Sequence, residues 1–322
     1  MNKTIRLFSM LFLASLPSLA SAIVINDDTH INGFISQGLM MTPDNAYAGI
    51  EDSSTDVRAL GLNGFYTVND QLHISGLVLA NRIGEVSNGE PKIHYLLADY
   101  HSYDEDGRTF GVRLGRVQNQ FGIYNSTRFI PNTRPGILVP QSVYFDSSLR
   151  ELMMSTDGIN LYARAQTSIG EFELNLYAGS RDNEKKAIEV FIFKKDIPGD
   201  FKESDITGFK LDFTPNSKHE LNLAYSVLRF GSKLDGASVY NDEQIVAAQT
   251  QIDANPFLTP TYTTSFDLDV LMQMFSLQHS TGNWVFTGEY SLIQGDYSNV
   301  SILHDEKPDT QVTSDGYYLQ AE

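Results

Sequence analysis

Arginine side chains are concentrated in the middle of the chain, and their chemistry is the clearest that the sequence offers. Between Arg108 and Gln166 there are seven arginines, no lysine and three acidic residues, Asp146, Glu151 and Asp157. The local balance is +4 in a chain whose formal net charge is -17. A guanidinium group presents a planar fork of donors that fits carboxylate or phosphate, and basic residues around a narrow passage favour anions. The pattern therefore predicts either an anion-attracting site or a set of structural ion pairs.

The elements that carry these arginines are predicted to be β-strands. Apolar and polar residues alternate over segments of about ten residues, as in 219–230, where Leu221, Leu223 and Tyr225 share one face. This period of two indicates strands with one apolar face, and their length and the small, polar opposite face are typical of membrane barrels. Twelve strands are predicted, near 31–38, 58–68, 71–82, 94–103, 109–119, 158–167, 171–180, 206–214, 219–230, 267–280, 284–294 and 316–322.

The connections between these strands alternate between short and long. Short, turn-rich segments such as 69–70 and 281–283 separate longer ones at 39–57, 83–93, 120–157, 181–205, 231–266 and 295–315. Such alternation is characteristic of barrels with periplasmic turns and extracellular loops. The predicted fold class is all-β, a transmembrane antiparallel β-barrel. Because the chain ends within a strand, we expect about 12 strands here of about 16 in the complete protein, although a complete 12-stranded barrel is the alternative.

The N-terminal segment has the features of a secretory leader. Lys3 and Arg6 precede a short apolar stretch, and Ala20-Ser21-Ala22 supplies the small residues of a cleavage site. Residues 1–22 are therefore predicted to be a cleaved signal peptide and 23–322 an outer-membrane barrel that is truncated at its C-terminus. The absence of cysteine excludes disulfides and thiolate metal sites, and no cofactor or metal is expected. The acidic balance disfavours nucleic acid as a partner.

The arginines can be placed on this predicted framework. Arg113 is out of phase with Phe110, Val112 and Leu114, so it should point into the lumen, and Arg164 should do the same. A cation that faces lipid at the midplane costs roughly 2–4 kcal/mol, which supports both assignments. The candidate residues of a pore constriction are Arg113, Arg128, Arg134, Arg150, Arg164, Asp146 and Glu151. The alternative is that the arginines pair with acids such as Glu173 or Glu289 and hold the long segment against the wall.

The segment from Leu114 to Asp146 resembles part of Gram-negative outer-membrane porins. The similarity lies in Gly-Arg-Val followed by Phe-Gly-Ile-Tyr-Asn, then Thr-Arg-Pro and Pro-Gln-Ser-Val-Tyr-Phe-Asp. The resemblance implies a trimeric, 16-stranded porin whose third extracellular loop folds into the barrel and narrows it. It also implies passive diffusion of small hydrophilic solutes, and lipid and lipopolysaccharide as neighbours in the outer membrane. The longest predicted loop here follows the fifth predicted strand.

Three functional hypotheses follow from the sequence. The first is a porin that prefers small anionic or neutral solutes through its arginine-rich loop. The second is a non-conducting barrel that acts as an adhesin or receptor through its extracellular loops; it would show an occluded lumen with large apolar inward residues. The third, an outer-membrane hydrolase, would need a Ser-His-acid arrangement, and the adjacent His279 and Ser280 have no orienting acid. The sequence therefore predicts that the chain is not an enzyme.

Overall fold

The structure, a computed structural model, is dominated by β-strands. It describes residues 20–104, 106–134, 136, 138–144, 150–182, 185–190, 201–216, 220–237, 242–255, 264–299 and 309–322. The strands of this part of the chain are β1 (Ala20–Asn26), β2 (Thr29–Tyr47), β3 (Ile50–Asn69), β4 (Leu72–Ile83), β5 (Ser87–Tyr103), β6 (Thr109–Gln118), β7 (Ser155–Gln166), β8 (Gly170–Arg181), β9 (Ser204–Pro215), β10 (Glu220–Ala237), β11 (Thr264–Thr281), β12 (Trp284–Asn299) and β13 (Asp309–Ala321). The helices are α1 (Arg150–Met154), α2 (Lys185–Ile188) and α3 (Asp242–Ala254), with a 3₁₀ turn at Pro131–Thr133.

Every strand pairs antiparallel with its neighbours in sequence, so that one sheet runs in order from β1 to β13. In such a meander successive connections fall at opposite ends of the sheet. The short connections, at 27–28, 70–71, 104–108, 167–169, 216–219 and 282–283, all fall at one end. The other end carries the connections at 48–49, 84–86, 119–154, 182–203, 238–263 and 300–308. All the long connections therefore lie on one side.

The two faces of the sheet differ in chemistry. The outer face exposes large apolar side chains; Leu62 and Phe275, for example, are 56% and 55% exposed. The inner face carries small or polar residues such as Asn160, Asn175 and Ser226, which are buried. A continuous exposed apolar band is unfavourable in water and matches the lipid-facing band of membrane barrels. The predicted fold class, an all-β antiparallel barrel of the transmembrane type, is confirmed. Within the described residues no helix is both long and apolar enough to span a membrane.

The twelve predicted strands all occur, as β2 to β13, but two of the predicted long loops were wrong. Segments 39–57 and 83–93 are mostly strand, and they turn at 48–49 and 84–86. Alternation identifies a strand only where one face meets lipid. Beyond the apolar band both faces of a strand can be polar. β2 and β3 therefore continue through residues whose composition is typical of a loop. Gly49, at φ 75°, helps to close the first of these turns.

The sheet contains one strand that the sequence analysis did not predict. β1 pairs with β2 from Ala20 opposite Phe34 to Asn26 opposite Thr29. It overlaps the predicted cleavage site at residues 20–22, while residues 1–19 lie outside the described part of the chain. The signal peptide and the total of about 16 strands stay predictions.

Candidate functional site: a loop inside the barrel

The connection 119–154, between β6 and β7, packs against the inner face of the sheet. Phe121, Val143 and Tyr144 of this loop are fully buried and pack against side chains of β10 to β12. The wall beneath them is apolar, with Leu228, Phe230, Met272 and Met274 also fully buried. These side chains share the face of Ser226 and Ser276, opposite to the exposed Phe275 and Leu277. The loop therefore covers the inner wall at this position.

The same loop also contacts the far side of the sheet. Phe129 packs with Phe34 on β2 and with Leu77 and Leu79 on β4. Its ring centroid lies 4.2 Å from that of His94 on β5. Six strands separate β4 from β11 in the sheet, so one loop can reach both only if the sheet curls around it. The loop crosses the interior.

Glu289 of β12 fixes one side of the loop. It is 3% exposed, and its Oε2 accepts hydrogen bonds from the hydroxyls of Tyr144 at 2.6 Å and Tyr318 at 2.7 Å. Its Oε1 accepts from Ser276 Oγ at 2.6 Å and from the backbone N–H of Ile123 at 2.8 Å. Four donors compensate the desolvation of the buried carboxylate without a cation among them.

Two features of the loop fit this carboxylate. Gly122 has φ 61°, and a Cβ atom there would lie 2.2 Å from Tyr144 Oη and 2.8 Å from Glu289 Oε1. Its N–H donates to Ser226 Oγ at 2.9 Å. Burial, and then the nearby Glu289 carboxylate, hold the pKa of Tyr144 well above its usual value. Tyr144 therefore remains a neutral donor at any physiological pH.

Arg128 and Arg134 stand close together on the loop. Arg128 is 2% exposed, and its Nη1 donates to Asn125 Oδ1 at 2.9 Å. Its guanidinium lies 5.9 Å from the ring centroid of Tyr144. Arg134 Nη1 donates to the backbone oxygen of Arg128 at 3.0 Å. Arg128 thus packs within the loop, whereas Arg134 extends toward the wall formed by β2 to β4.

Arg134 and Arg150 line one cavity between the loop and that wall. The cavity measures about 20 Å³, room for roughly one water molecule. Ser36 and Asn81 face it from β2 and β4. With the Asn81 amide oxygen turned toward Arg150, the two guanidinium nitrogens lie 3.2 and 3.3 Å away. These are the two predicted arginines that the fold brings together at this small cavity.

Glu151, beside Arg150, belongs to a buried ion-pair group. Arg181 Nη2 of β8 lies 2.7 Å from Glu151 Oε2, and Arg150 Nη1 lies 3.9 Å from Oε1. Burial alone would raise the pKa of Glu151, but the charges of Arg150, His94 and Arg181 together lower it to about 2. Glu151 therefore stays ionised and ties α1, at the end of the loop, to the wall.

Arg113 and Arg164 lie nearer the short-turn end, away from the loop. Both face inward, and both are paired with acids. Arg113 Nε is 2.9 Å from Asp99 Oδ2, and its guanidinium lies 4.2 Å from the ring centroid of Tyr162. Arg164 is 2.6 Å from Glu173. The predicted residue Asp146 lies outside the described residues.

Several inner residues are not among those predicted from the sequence. Lys210 and Asp212 of β9 form an ion pair at 2.9 Å, and alternation in 206–214 already put both on one face. Glu289 was considered only as a possible partner of arginine, and its actual partners differ. A mixed line of charges, rather than a purely basic one, therefore covers the inner wall between the loop and the short turns.

The rim at the long-loop end is partly covered by the connection between β8 and β9. Ala187 of α2 is buried with Ala48 and Val86, in the turns that follow β2 and β4, and with Ile83 at the end of β4. Tyr47 Oη also lies 3.0 Å from Gln141 Oε1 of the inner loop. Four connections, at 48–49, 84–86, 119–154 and 182–203, thus meet at this rim.

Comparisons with known proteins give distant matches only. No family model matches the chain, and no curated protein matches it. One solved structure it resembles is "Outer-membrane expressed OmpT of Vibrio cholerae", at 9% identity and TM-score 0.29, covering 93% of this chain and 98% of that one. Another is the loop L8 deletion mutant of the same protein, at 10% identity and TM-score 0.27, covering 94% and 99%. At this level of similarity the matches assign no role to any residue of this chain.

One prediction is corrected by these matches. The sequence predicts that the chain is not an enzyme, because His279 and Ser280 have no orienting acid. The matching structures are outer-membrane proteins titled OmpT, and this finding stands against the exclusion. The exclusion was wrong and is withdrawn. What the chain shares with these neighbours is the architecture of an outer-membrane β-barrel.

Proposed function

We propose that the chain forms an outer-membrane porin for the passive diffusion of small hydrophilic solutes. The observation that carries the proposal is the loop 119–154, which crosses the interior and is anchored on opposite walls by Glu289 and by Phe129. A loop held in this way sets the narrowest part of a passage. The charged inner wall nearer the short turns supports a water-filled interior.

The proposal includes a preference for anions, now assigned to fewer residues. Arg113 and Arg164 are neutralised by Asp99 and Glu173. We assign the preference to Arg134 and Arg150, which line the cavity at the level of the loop, although Arg150 also lies 3.9 Å from Glu151. The same proposal includes a cleaved signal peptide, a trimeric assembly and contact with lipopolysaccharide in the outer membrane.

A planar-bilayer measurement tests both parts. The refolded chain should give stable channels, and the zero-current potential under a salt gradient should favour chloride over potassium. Replacing Arg134 and Arg150 together by Ser should bring the permeability ratio to about 1. The matched control is Arg229→Ser, since Arg229 lies on the outer face, 62% exposed and paired with Asp269. An equal change in both variants would remove the arginines from the passage.

A second candidate, a loop-borne receptor or adhesin, is favoured by one observation. The loop is packed on Leu228, Phe230, Met272 and Met274, which are large apolar inward residues of the kind expected in an occluded lumen. The bilayer measurement separates the two functions. A demonstrably folded barrel that never conducts would favour the receptor.

A further inference from the structure

A row of four rings lies on the inner face, near the short-turn end. We call Phe65, His73, His101 and Tyr103 the aromatic strip. The ring centroids of Phe65 and His73 are 5.0 Å apart, and those of His73 and His101 are 5.1 Å apart, both pairs stacked. Tyr103 meets His101 edge-on at 5.3 Å. The strip runs across three neighbouring strands, β3 to β5.

The register places the strip inside the barrel. His73 shares its face with the inward Leu77 of β4, and it stands directly opposite Asp99 on β5. The neighbouring Tyr66 and Ile74, opposite one another and both exposed, belong to the outer face. The turns at 70–71 and 104–108 border the strip. It therefore lies below the inner loop, at the short-turn mouth.

The strip is accessible although it faces the interior. Phe65 is 39% exposed and Tyr103 is 66% exposed. The apolar contacts of the inner loop are higher on the same wall, at Phe34, Leu77 and Leu79. Neither lipid nor the loop therefore accounts for an exposed apolar surface here. A surface of this kind indicates a binding site.

Groups that form hydrogen bonds flank the strip. Asp99 accepts from Tyr162 Oη at 2.8 Å and from Arg113 Nε at 2.9 Å. The side chains of Asp99 and Arg113 are 19% and 26% exposed, so both can still reach a ligand. Next to the flat rings there are therefore a carboxylate acceptor, a guanidinium donor and a phenol.

We propose that the aromatic strip binds carbohydrate rings as they pass through the barrel. A pyranose has an apolar face of C–H groups that stacks on flat rings, and hydroxyls at its edge that match Asp99, Arg113 and Tyr162. The ion pair between Asp99 and Arg113 leaves the site electrically balanced, which favours a neutral solute over an anion. The inference rests on the proposed function, because a solute reaches the strip through the interior.

Saturation-transfer NMR with maltotriose tests the strip directly. The full chain is folded in a phosphocholine detergent, since a glycoside detergent would compete for the site, and its aromatic protons are irradiated. The ring protons of maltotriose should receive saturation. Maltotriose should bind roughly tenfold more weakly when Phe65 and His73 are both replaced by Ala. Tyr66→Ala, on the outer face of the same strand, should leave binding unchanged.

Further variants and a conductance arm complete the test. Phe65→Leu keeps apolar volume without a ring and should also weaken binding, so the test does not depend on the double variant folding. If maltotriose receives no saturation, or equal saturation in all variants, the aromatic strip does not bind carbohydrate and the proposal is wrong. Because binding is measured in detergent, a chain that binds maltotriose without conducting ions refutes the porin alone. A chain that conducts without binding maltotriose refutes the strip alone.

Discussion

At the scale of single residues, the position of the inner loop depends most on Glu289. Its carboxylate has four donors, and two of them, Tyr144 and the Ile123 amide, belong to the loop. The close approach of Gly122 leaves no space for a side chain there. Removing the charge should therefore affect the loop before it affects the strands.

Replacing Glu289 by Gln should loosen the loop. The amide –NH₂ would face donors instead of accepting from them, and an unsatisfied buried group costs about 1–3 kcal/mol. The midpoint of thermal unfolding in detergent should fall, and channel current should become noisier. Glu171→Gln is the control, because the Glu171 side chain is 43% exposed. An equal loss of stability in both variants would show that Glu289 does not anchor the loop.

The sequence predicted the face of Glu289 but not its partners. Alternation along 284–294 puts this residue inside, because strand periodicity is local information. Two of its four partners, Tyr144 and the Ile123 amide, come from a loop more than a hundred residues earlier in the chain, and nothing local encodes that path. The surplus of arginine suggested ion pairs instead. For Arg113 and Arg164 the structure does place acids beside them.

At the scale of elements, the strands were predictable and the long-loop end was not. The alternating pattern located β2 to β13 because one face of each strand meets lipid. It missed the extensions of β2, β3 and β5, where both faces can be polar. The short helices α1 and α2 gave no periodic signal, since four or five residues are too few for one. Their positions depend on packing with distant residues, such as Ala187 on Ala48.

The anchor of α1 predicts a pH dependence. The pKa of Glu151 is lowered from its usual 4.5 to about 2. The stability that the ionised Glu151 gives the folded chain is therefore complete above a pH of about 4.5, the pKa in the unfolded chain. It is lost as the pH falls from about 4.5 toward 2. The unfolding midpoint should drop over this range, and Glu151→Gln should show a smaller drop from a lower starting value. Identical pH profiles for the two proteins would show that Glu151 does not anchor the helix.

At the scale of the whole molecule, the sheet encloses its own longest connection. The interior has two zones: an apolar contact between the loop and β10 to β12, and a line of paired charges nearer the short turns. The first zone fixes the loop and the second keeps the remaining space polar. The width of the passage therefore depends on how the loop is anchored.

Deletion of residues 124–145, bridged by a short Gly-Ser linker, tests this central claim most directly. Single-channel conductance in a planar bilayer should rise several-fold, because the segment that crosses the interior is gone. Deletion of 243–253 in α3, which belongs to a different connection, is the control and should leave conductance unchanged. A folded deletion variant with the conductance of the intact chain would contradict the account, since the loop would then lie outside the path of the ions.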